Sequence, residues 1–407
     1  MIKRNIKKIT SVILTMTMML SLAACNKTPT PEKYDEQFIS YTSNFSVELF
    51  KECVYKDAEN GKNILISPES VMCALSMTTN GADGQTLENM KNVLMGGNDI
   101  SEHNASMSKY NNSLLNSRNV EFNMGNSIWI KDSEDIQVKD EFTDICQEHY
   151  NADTFLVPFD DTTLTDINSW VDDKTEGKIS QLVNEIKEDE VMYLINALAF
   201  EGVWEKSYKD HEINENGEFT NYCGEKQKVN MLSSKEEIYL SDENAVGFVK
   251  AYKGGDFAFM AILPNEEIGV ENYIENMSGD ALIKMYKNRE NKDVVAKIPE
   301  FSCEYDIELS GCLSNMGMGD AFTEVADFSN MATTKTGCLF IKKVLHKTYI
   351  EIDRTGTKAA ASTAVVMTTK GVSEDMEYVI LDRPFIYAII DTETGLPVFL
   401  GVLNTVK

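Results

Sequence analysis

Positive charge is scarce in this chain, and so are histidine, proline and tryptophan. Lys and Arg total 38 of 407 residues against 65 Asp and Glu, a formal net charge of −27. A nucleic-acid surface needs clustered Lys and Arg, so that class is excluded. The four histidines are His103, His149, His211 and His346, and none forms His-Glu-x-x-His. Gly-x-Ser-x-Gly, Gly-x-x-x-x-Gly-Lys-Ser/Thr and Gly-x-Gly-x-x-Gly are all missing; Gly317-Met318-Gly319 is a fragment that follows a helical pattern rather than a strand. Enzyme chemistry is therefore disfavoured, although carboxylate pairs leave no trace in one sequence. Eight prolines give little material for long linkers. Hydrophobic residues at 43% and charged residues at 25% are ordinary globular values, which exclude a disordered tail protein and a polytopic membrane protein. At about 150 residues per domain the length suggests two or three domains. No internal repeat and no break in composition marks a boundary.

Residues 1–24 read as an export signal. Lys3, Arg4, Lys7 and Lys8 form a basic start, Ile9 to Leu22 is an uncharged apolar run, and Leu22-Ala23-Ala24-Cys25 follows. The run is short for a membrane span and has secretory flanks. Its last four residues resemble a bacterial lipobox, in which Cys25 is lipidated and becomes the mature N-terminus. A plain signal peptide with a chance cysteine is the alternative. Removal deletes four positive charges and no negative ones, taking the charge from −27 to −31. Residues 25–37, with two prolines, read as a polar tether. The expected location is outside the cell, lipid-anchored to the bacterial surface.

The other cysteines are Cys53, Cys73, Cys146, Cys223, Cys303, Cys312 and Cys338. Their odd number and wide spacing, with no Cys-x-x-Cys, argue against a zinc knuckle, a thioredoxin-type motif and a disulfide framework. A single bridge is left open.

Hydrophobic periodicity gives one continuous mixed fold. Phe38, Tyr41, Phe45, Leu49 and Cys53 recur at spacings of three and four and predict a helix. Ser67-Pro68-Glu69-Ser70 opens a second, with Ser67 as N-cap and Pro68 at the first helical position. Leu87 to Leu94 is a short third. Strands are expected at Val120 to Ile130, Val191 to Phe200, Phe257 to Leu263, Val294 to Ile298 and Leu339 to Ile352. A closing hairpin, Phe385 to Ile390 and Val398 to Leu403, turns through Thr392-Glu393-Thr394-Gly395. Helices dominate the first half and strands the second, so the class is α+β.

Residues 353–382 fit none of this. A loop that long inside a compact domain is unusual and often functional. Read with strand alternation, one face is Thr357, Ala359, Ala361, Thr363, Val365, Met367 and Thr369, all uncharged. The other carries Lys358, Ala360, Ser362, Ala364, Val366 and Thr368. This is a latent strand that one buried sheet face would accept. An ordinary strand or an Ala-rich helix are the alternatives.

Ordered motifs decide between them. They are Asn63-Ile64-Leu65-Ile66-Ser67-Pro68-Glu69-Ser70, Ile167-Asn168-Ser169-Trp170-Val171 with Thr175-Glu176-Gly177-Lys178-Ile179, and Leu194-Ile195-Asn196-Ala197-Leu198-Ala199-Phe200 with Trp204. Ala326-Asp327-Phe328-Ser329, Gly356-Thr357-Lys358-Ala359-Ala360-Ala361, Arg383-Pro384-Phe385 and Phe399-Leu400-Gly401 follow. In this order, from about Phe38 to Lys407, the chain resembles a serpin, a serine protease inhibitor. The resemblance implies a single domain over 38–407 with three β-sheets, surrounding helices and an exposed reactive loop at about 354–382. It implies no catalysis and no cofactor. The partner is a target protease of the serine class, with cysteine endopeptidases as a wider class. Its nucleophile would form an acyl-enzyme, trapped when the cut loop inserts into the main sheet. The active state would be a monomer.

The resemblance also assigns residues. Gly356, Thr357, Lys358, Ala359, Ala360, Ala361, Ser362 and Thr363 form the hinge. Counting onward places the bait bond at Lys370–Gly371, which suits a trypsin-like protease. The loop is a few residues longer than in some relatives, so a cut near Val366, Met367 or Thr369, suiting elastase- or subtilisin-like enzymes, is the alternative register. Ser67, Asn196 and His346 form a hydrogen-bonded shutter beneath the place where the sheet opens. Arg354 stands where the family has an acidic residue and Glu300 where it has a lysine, so a charge-swapped pair is expected. The segment Ser101 to Arg118 offers only Lys109 and Arg118 as positive charges, so glycosaminoglycan activation is disfavoured. A non-inhibitory surface-binding protein of the same fold is the alternative function.

Overall fold

The computed structural model describes residues 34–357 and 376–406, apart from 58–60, 118, 188–189 and 336, together with the backbone of 7–8. Expectations for Cys25, for Lys358, Ala359, Ala360, Ala361, Ser362 and Thr363, and for the Lys370–Gly371 bond lie outside these residues.

The described residues form three β-sheets with helices packed around them. The main sheet contains β1 (Val120–Lys131), β2 (Asp153–Val157), β3 (Met192–Val203), β4 (Phe301–Glu308), β5 (Lys343–Ile352) and β6 (Gly356–Thr357). Across the sheet the order is β2-β1-β3-β6-β5-β4, with Lys7–Lys8 along the β2 edge. β3 and β5 are parallel and also pair directly, from Tyr193↔Lys343 to Ala199↔Tyr349. Along β5 the core face is Val344, His346, Thr348, Ile350 and Ile352, every one buried, while the alternate residues are half-buried. That is the period of two that one-sided burial imposes.

A nine-stranded sheet runs behind it, from Glu377–Ile380 through Glu290–Pro299, Lys226–Ser241, Ala245–Ala251, Phe257–Pro264, Phe385–Asp391 and Pro397–Leu403 to Ile64–Ile66; Ile213–Thr220 pairs beside Lys226–Ser241. Phe385–Asp391 and Pro397–Leu403 are buried at every residue, which explains the apolar runs Phe385–Ile390 and Pro397–Leu403. Ile136–Val138 and Ala332–Thr334 make a small ribbon. Helix Pro68–Thr79, buried along its whole length, lies between this second sheet and β3.

Some local expectations change. The strand expected from Leu339 is regular only from Lys343, because Ile341 gives its N–H to the Ala321 carbonyl and leaves the ladder. The third helix runs Gly84–Met95, capped by Asp83. Ser67 occupies the N-cap position of its helix, but its hydroxyl makes no cap bond. Helix Ile100–Leu115 occupies the Ser101 to Arg118 segment, whereas Asp140–Tyr150 and Asp161–Lys174 are helices where the periodicity predicts none. Among the described residues no helix is long and apolar enough to cross a membrane.

Candidate functional site at the opening of the main sheet

β6 is a wedge. Gly356 pairs with Val203 and Thr357 with Gly202 on β3, while Thr357 also pairs with Ile352 on β5, both antiparallel. Two residues of the following segment therefore already stand between strands that pair directly lower down. Gly356 is required by close approach, since a Cβ there would collide with the Gly202 carbonyl.

The turn into the wedge is tied from both sides. Asp353 Oδ1 accepts from Thr355 N–H and O–H, each at 2.6 Å, and from Gly356 N–H at 2.9 Å. The Asp353 carbonyl accepts from Trp204 Nε1 at 2.9 Å, and the carbonyls of Thr355 and Arg354 accept from Trp204 N–H and Tyr208 N–H. Trp204 stacks on Tyr252 with ring centroids 4.5 Å apart, and Tyr252 OH lies 2.5 Å from Thr357 Oγ1. Behind them Lys250, fully buried, pairs with Glu236 at 2.8 Å, with its ammonium 4.5 Å from the Tyr208 ring centre. The ring face and the carboxylate together compensate its desolvation.

At the surface above, Arg354 Nη1 is 3.2 Å from Asp210 and its Nε is 4.0 Å from Glu300. The nearer partner is thus Asp210, while Glu300 also accepts from Asn230 Nδ2 at 2.7 Å.

Halfway down, β3 and β5 are joined through side chains. Ser67 N–H donates to His346 Nε2 at 3.0 Å, and His346 Nδ1 is 3.0 Å from Asn196 Oδ1. A backbone N–H can only donate, so Nε2 is the bare nitrogen and Nδ1 carries the hydrogen. Asn196 then donates to the Ser70 carbonyl at 2.8 Å and to Asn126 Oδ1 at 2.6 Å. Ser67 joins through its backbone, not its hydroxyl. Burial holds the His346 pKa down to about 3, so the ring is neutral. A proton on Nε2 would also face the Ser67 N–H. In the first turn of Pro68–Thr79, Glu69 is buried with no hydrogen-bond partner among the described residues, and burial raises its pKa to about 8. At the foot, Glu190 takes hydrogen bonds from Tyr193, from Lys187 N–H at 2.7 Å and from Lys343 at 2.7 Å. Burial pushes its pKa up, but these bonds outweigh it and the net shift is downward.

Helix Asp161–Lys174 covers the outer face of β1 and β3. Gly125 makes room for it, since a Cβ there would meet Trp170 at 2.7 Å. Asn168 fastens the following loop by accepting from Leu182 and Val183 N–H at 2.8 and 2.9 Å.

The sequence model described as Serpin (serine protease inhibitor) matches residues 40–405. The chain belongs to the serpin family. The crystal structure of a thermophilic serpin, Tengpin, in the native state is 42% identical with a TM-score of 0.87, covering 92% of this chain and 95% of that one. The latent state of Tengpin gives a TM-score of 0.81. Leukocyte elastase inhibitor A of Rattus norvegicus is 29% identical over 381 residues, 90% of this serpin and 98% of that protein. An uncharacterized serpin-like protein of Thermococcus kodakarensis is also 29% identical, over 92% of this chain and 87% of its own.

In this serpin the structure brings Ser67, Asn196 and His346 together and puts Gly356 and Thr357 in the sheet. Sequence reasoning missed Tyr252, Tyr208, the Lys250–Glu236 pair, Glu190 and Glu69. Two of these carried a signal: Glu69 and Lys250 interrupt otherwise apolar stretches, and a charge there needs a reason.

Proposed function

We propose that this serpin is a single-use inhibitor of endopeptidases, trapping an acyl-enzyme by drawing its cut loop into the gap between β3 and β5. The register of β6 carries the reading. Thr357 sits opposite Gly202 and Ile352, and the direct β3–β5 pairs keep the same offset as these two partners. A strand continuing from β6 would therefore meet both neighbours in step. Ala359 would lie between Phe200 and Ile350, Ala361 between Leu198 and Thr348, and Thr363 between Asn196 and His346. Thr357 faces the core, so its alternation puts only small or uncharged side chains inward. Lys358 would point outward between Glu201 and Glu351, a favourable charge match. Nothing on the inward face adds a charge to bury or removes a ladder N–H.

The bait bond is Lys370–Gly371. A basic side chain fits a protease with an acidic specificity pocket, so the target is trypsin-like. Its serine attacks the Lys370 carbonyl, and Gly371 leaves as a new N-terminus. Insertion then competes with deacylation. Incubation with a trypsin-like protease should give an SDS-stable complex and a released C-terminal peptide beginning at Gly371. A peptide beginning elsewhere moves the bait bond towards Val366, Met367 or Thr369 and an elastase- or subtilisin-like target. Plain cleavage without complex overturns inhibition and leaves a binding role. The N-terminal signal and Leu22-Ala23-Ala24-Cys25 support export and lipid anchoring at Cys25, which fatty-acid labelling of wild type and Cys25→Ala tests by loss of label.

A further inference from the structure

The foot of the gap is closed by charge, whereas its middle is closed by the neutral side chains of Asn196 and His346. Direct pairing of β3 with β5 ends at Tyr193↔Lys343. Just below, Glu190 is completely buried, and its carboxylate pairs with the Lys343 ammonium at 2.7 Å. The same carboxylate accepts from Lys187 N–H at 2.7 Å and from Tyr193 O–H. The Lys343 ammonium also stands 5.3 Å from the centre of the Tyr193 ring, which packs on Phe159 at 5.2 Å. Glu190 and Tyr193 belong to the β3 side and Lys343 to the β5 side, so the ion pair spans the gap. Pulling such a pair apart strands a buried charge, and that resists separation.

We propose that Glu190, Lys343 and Tyr193 form a clamp that an incoming strand must break to complete its insertion, and that this clamp sets how deep the strand goes. This role rests on the loop insertion proposed above and adds the depth at which it is resisted. Tyr193 is nine residues from Gly202 and Lys343 is nine from Ile352, so a strand growing from Thr357 reaches the clamp nine residues on. Asn196 and His346 are passed before that point. The residue of the strand that would stand at the clamp is Val366, whose side chain offers Glu190 no donor and Lys343 no acceptor. Neighbouring strands lie about 4.8 Å apart. A strand between β3 and β5 therefore doubles their separation and pulls the Glu190–Lys343 contact open. Lys370 lies four residues beyond Val366, so a strand halted at the clamp stops short of the bait bond. Glu190 and Lys343 are thus positioning residues: they act on the depth of insertion, not on the cutting of the loop.

The test uses the intact full chain and two synthetic peptides, copies of residues 358–363 and 358–369, whose annealing into the gap is followed by native gel shift. The short copy ends level with Asn196 and His346, and the long one passes the clamp. Glu190→Gln keeps the shape of the side chain and removes its charge, while Lys343→Met removes the other partner. Each variant should anneal the long peptide about tenfold faster than wild type. Neither should change the rate for the short one, and the double variant should be no faster than the singles. Lys235→Met breaks the 2.9 Å Lys235–Asp293 pair of the second sheet and should change neither rate. Equal acceleration of both peptides would mark a general loss of stability and overturns the clamp. Unchanged rates for the long peptide overturn it too, as does failure of both peptides to anneal to any variant. The short peptide reports a poorly folded variant, and the two substitutions test the pair from opposite sides. No protease is involved, so a wild type that forms no SDS-stable complex loses the inhibitory function while an effect confined to the long peptide upholds the clamp.

Discussion

The gap between β3 and β5 is held in two different ways. At the top a strand already fills it, secured by backbone hydrogen bonds from Trp204 and Tyr208 and by the stacked Trp204–Tyr252 pair beside Thr357. In the middle nothing fills it, and the strands meet directly through Asn196 and His346 with Ser67 and Ser70 beneath. The upper contacts favour insertion, whereas the middle ones must break before a strand can pass. In the proposed mechanism one segment would hold the gap ready, and the other would set when it opens.

The largest expected effect comes from making the upper region resemble a closed gap. Thr357→Arg puts a charge where Tyr252 and the core now lie, so the wedge should be expelled. We expect this variant to be cut as a substrate with little SDS-stable complex; complex formation as efficient as wild type would show that the wedge does not lead insertion. In the middle region, His346→Ala leaves Ser67 N–H and Asn196 Oδ1 without their partner. Two such losses cost about 2–6 kcal/mol, read as a lower midpoint in urea and faster conversion to an inactive form. An unchanged midpoint would mean that water replaces the ring.

Acid acts on the middle region through His346, and elsewhere through His103, which lies between Ser76 and Tyr41; burial holds both neutral to about pH 3. Their unfolded pKa is about 6.5. Below that the unfolded chain takes up protons that the folded chain refuses, so stability falls as pH drops from about 6.5 towards 3. Each histidine gives a slope of about 1.4 kcal/mol per pH unit. Glu69 works the other way: with its folded pKa raised to about 8, stability falls as pH rises from about 4.5 to 8. Two histidines outweigh one glutamate below pH 6.5. Urea titrations should therefore show acid destabilisation in wild type, a shallower acid limb in His103→Gln, and a flatter alkaline limb in Glu69→Gln.

Smallest is the surface cluster. Arg354 divides its charge between Asp210 and Glu300, and such exposed pairs are worth about 0–1 kcal/mol. Glu300→Lys should promote polymer formation slightly, and adding Arg354→Glu should reverse it; lack of rescue would leave Asp210 as the only functional partner.

How much of this was legible beforehand follows from where the signal lies. The strands at Phe385–Ile390 and Pro397–Leu403 were readable because burial on both faces leaves unbroken apolar runs. Helix Asp161–Lys174 was not, because only Thr163, Ile167 and Val171 are buried and its remaining surface reads as polar loop. The alternation through Thr357 was visible as a pattern, but an Ala-rich helix fitted the same residues until the family motifs were considered. Ser67, Asn196 and His346 stand far apart in sequence, and no periodicity links them. Lys250 with Glu236 is invisible for the same reason: which residues meet depends on strand register and helix packing, and neither is a local property.

The common offset shared by β3, β5 and β6 bears on speed. Adding a strand to a sheet is ordinarily slow because a first contact must form and a register must be chosen among several that fit equally well. Here both steps are complete before any bond is cut. The ends are already joined at Thr357, and one alignment suits both neighbours. In the proposed mechanism insertion is then growth from an existing nucleus, like a fastener whose slider is already on its track, and what remains is to part the direct β3–β5 ladder from Tyr193–Lys343 to Ala199–Tyr349, with the His346–Asn196 bond at its centre.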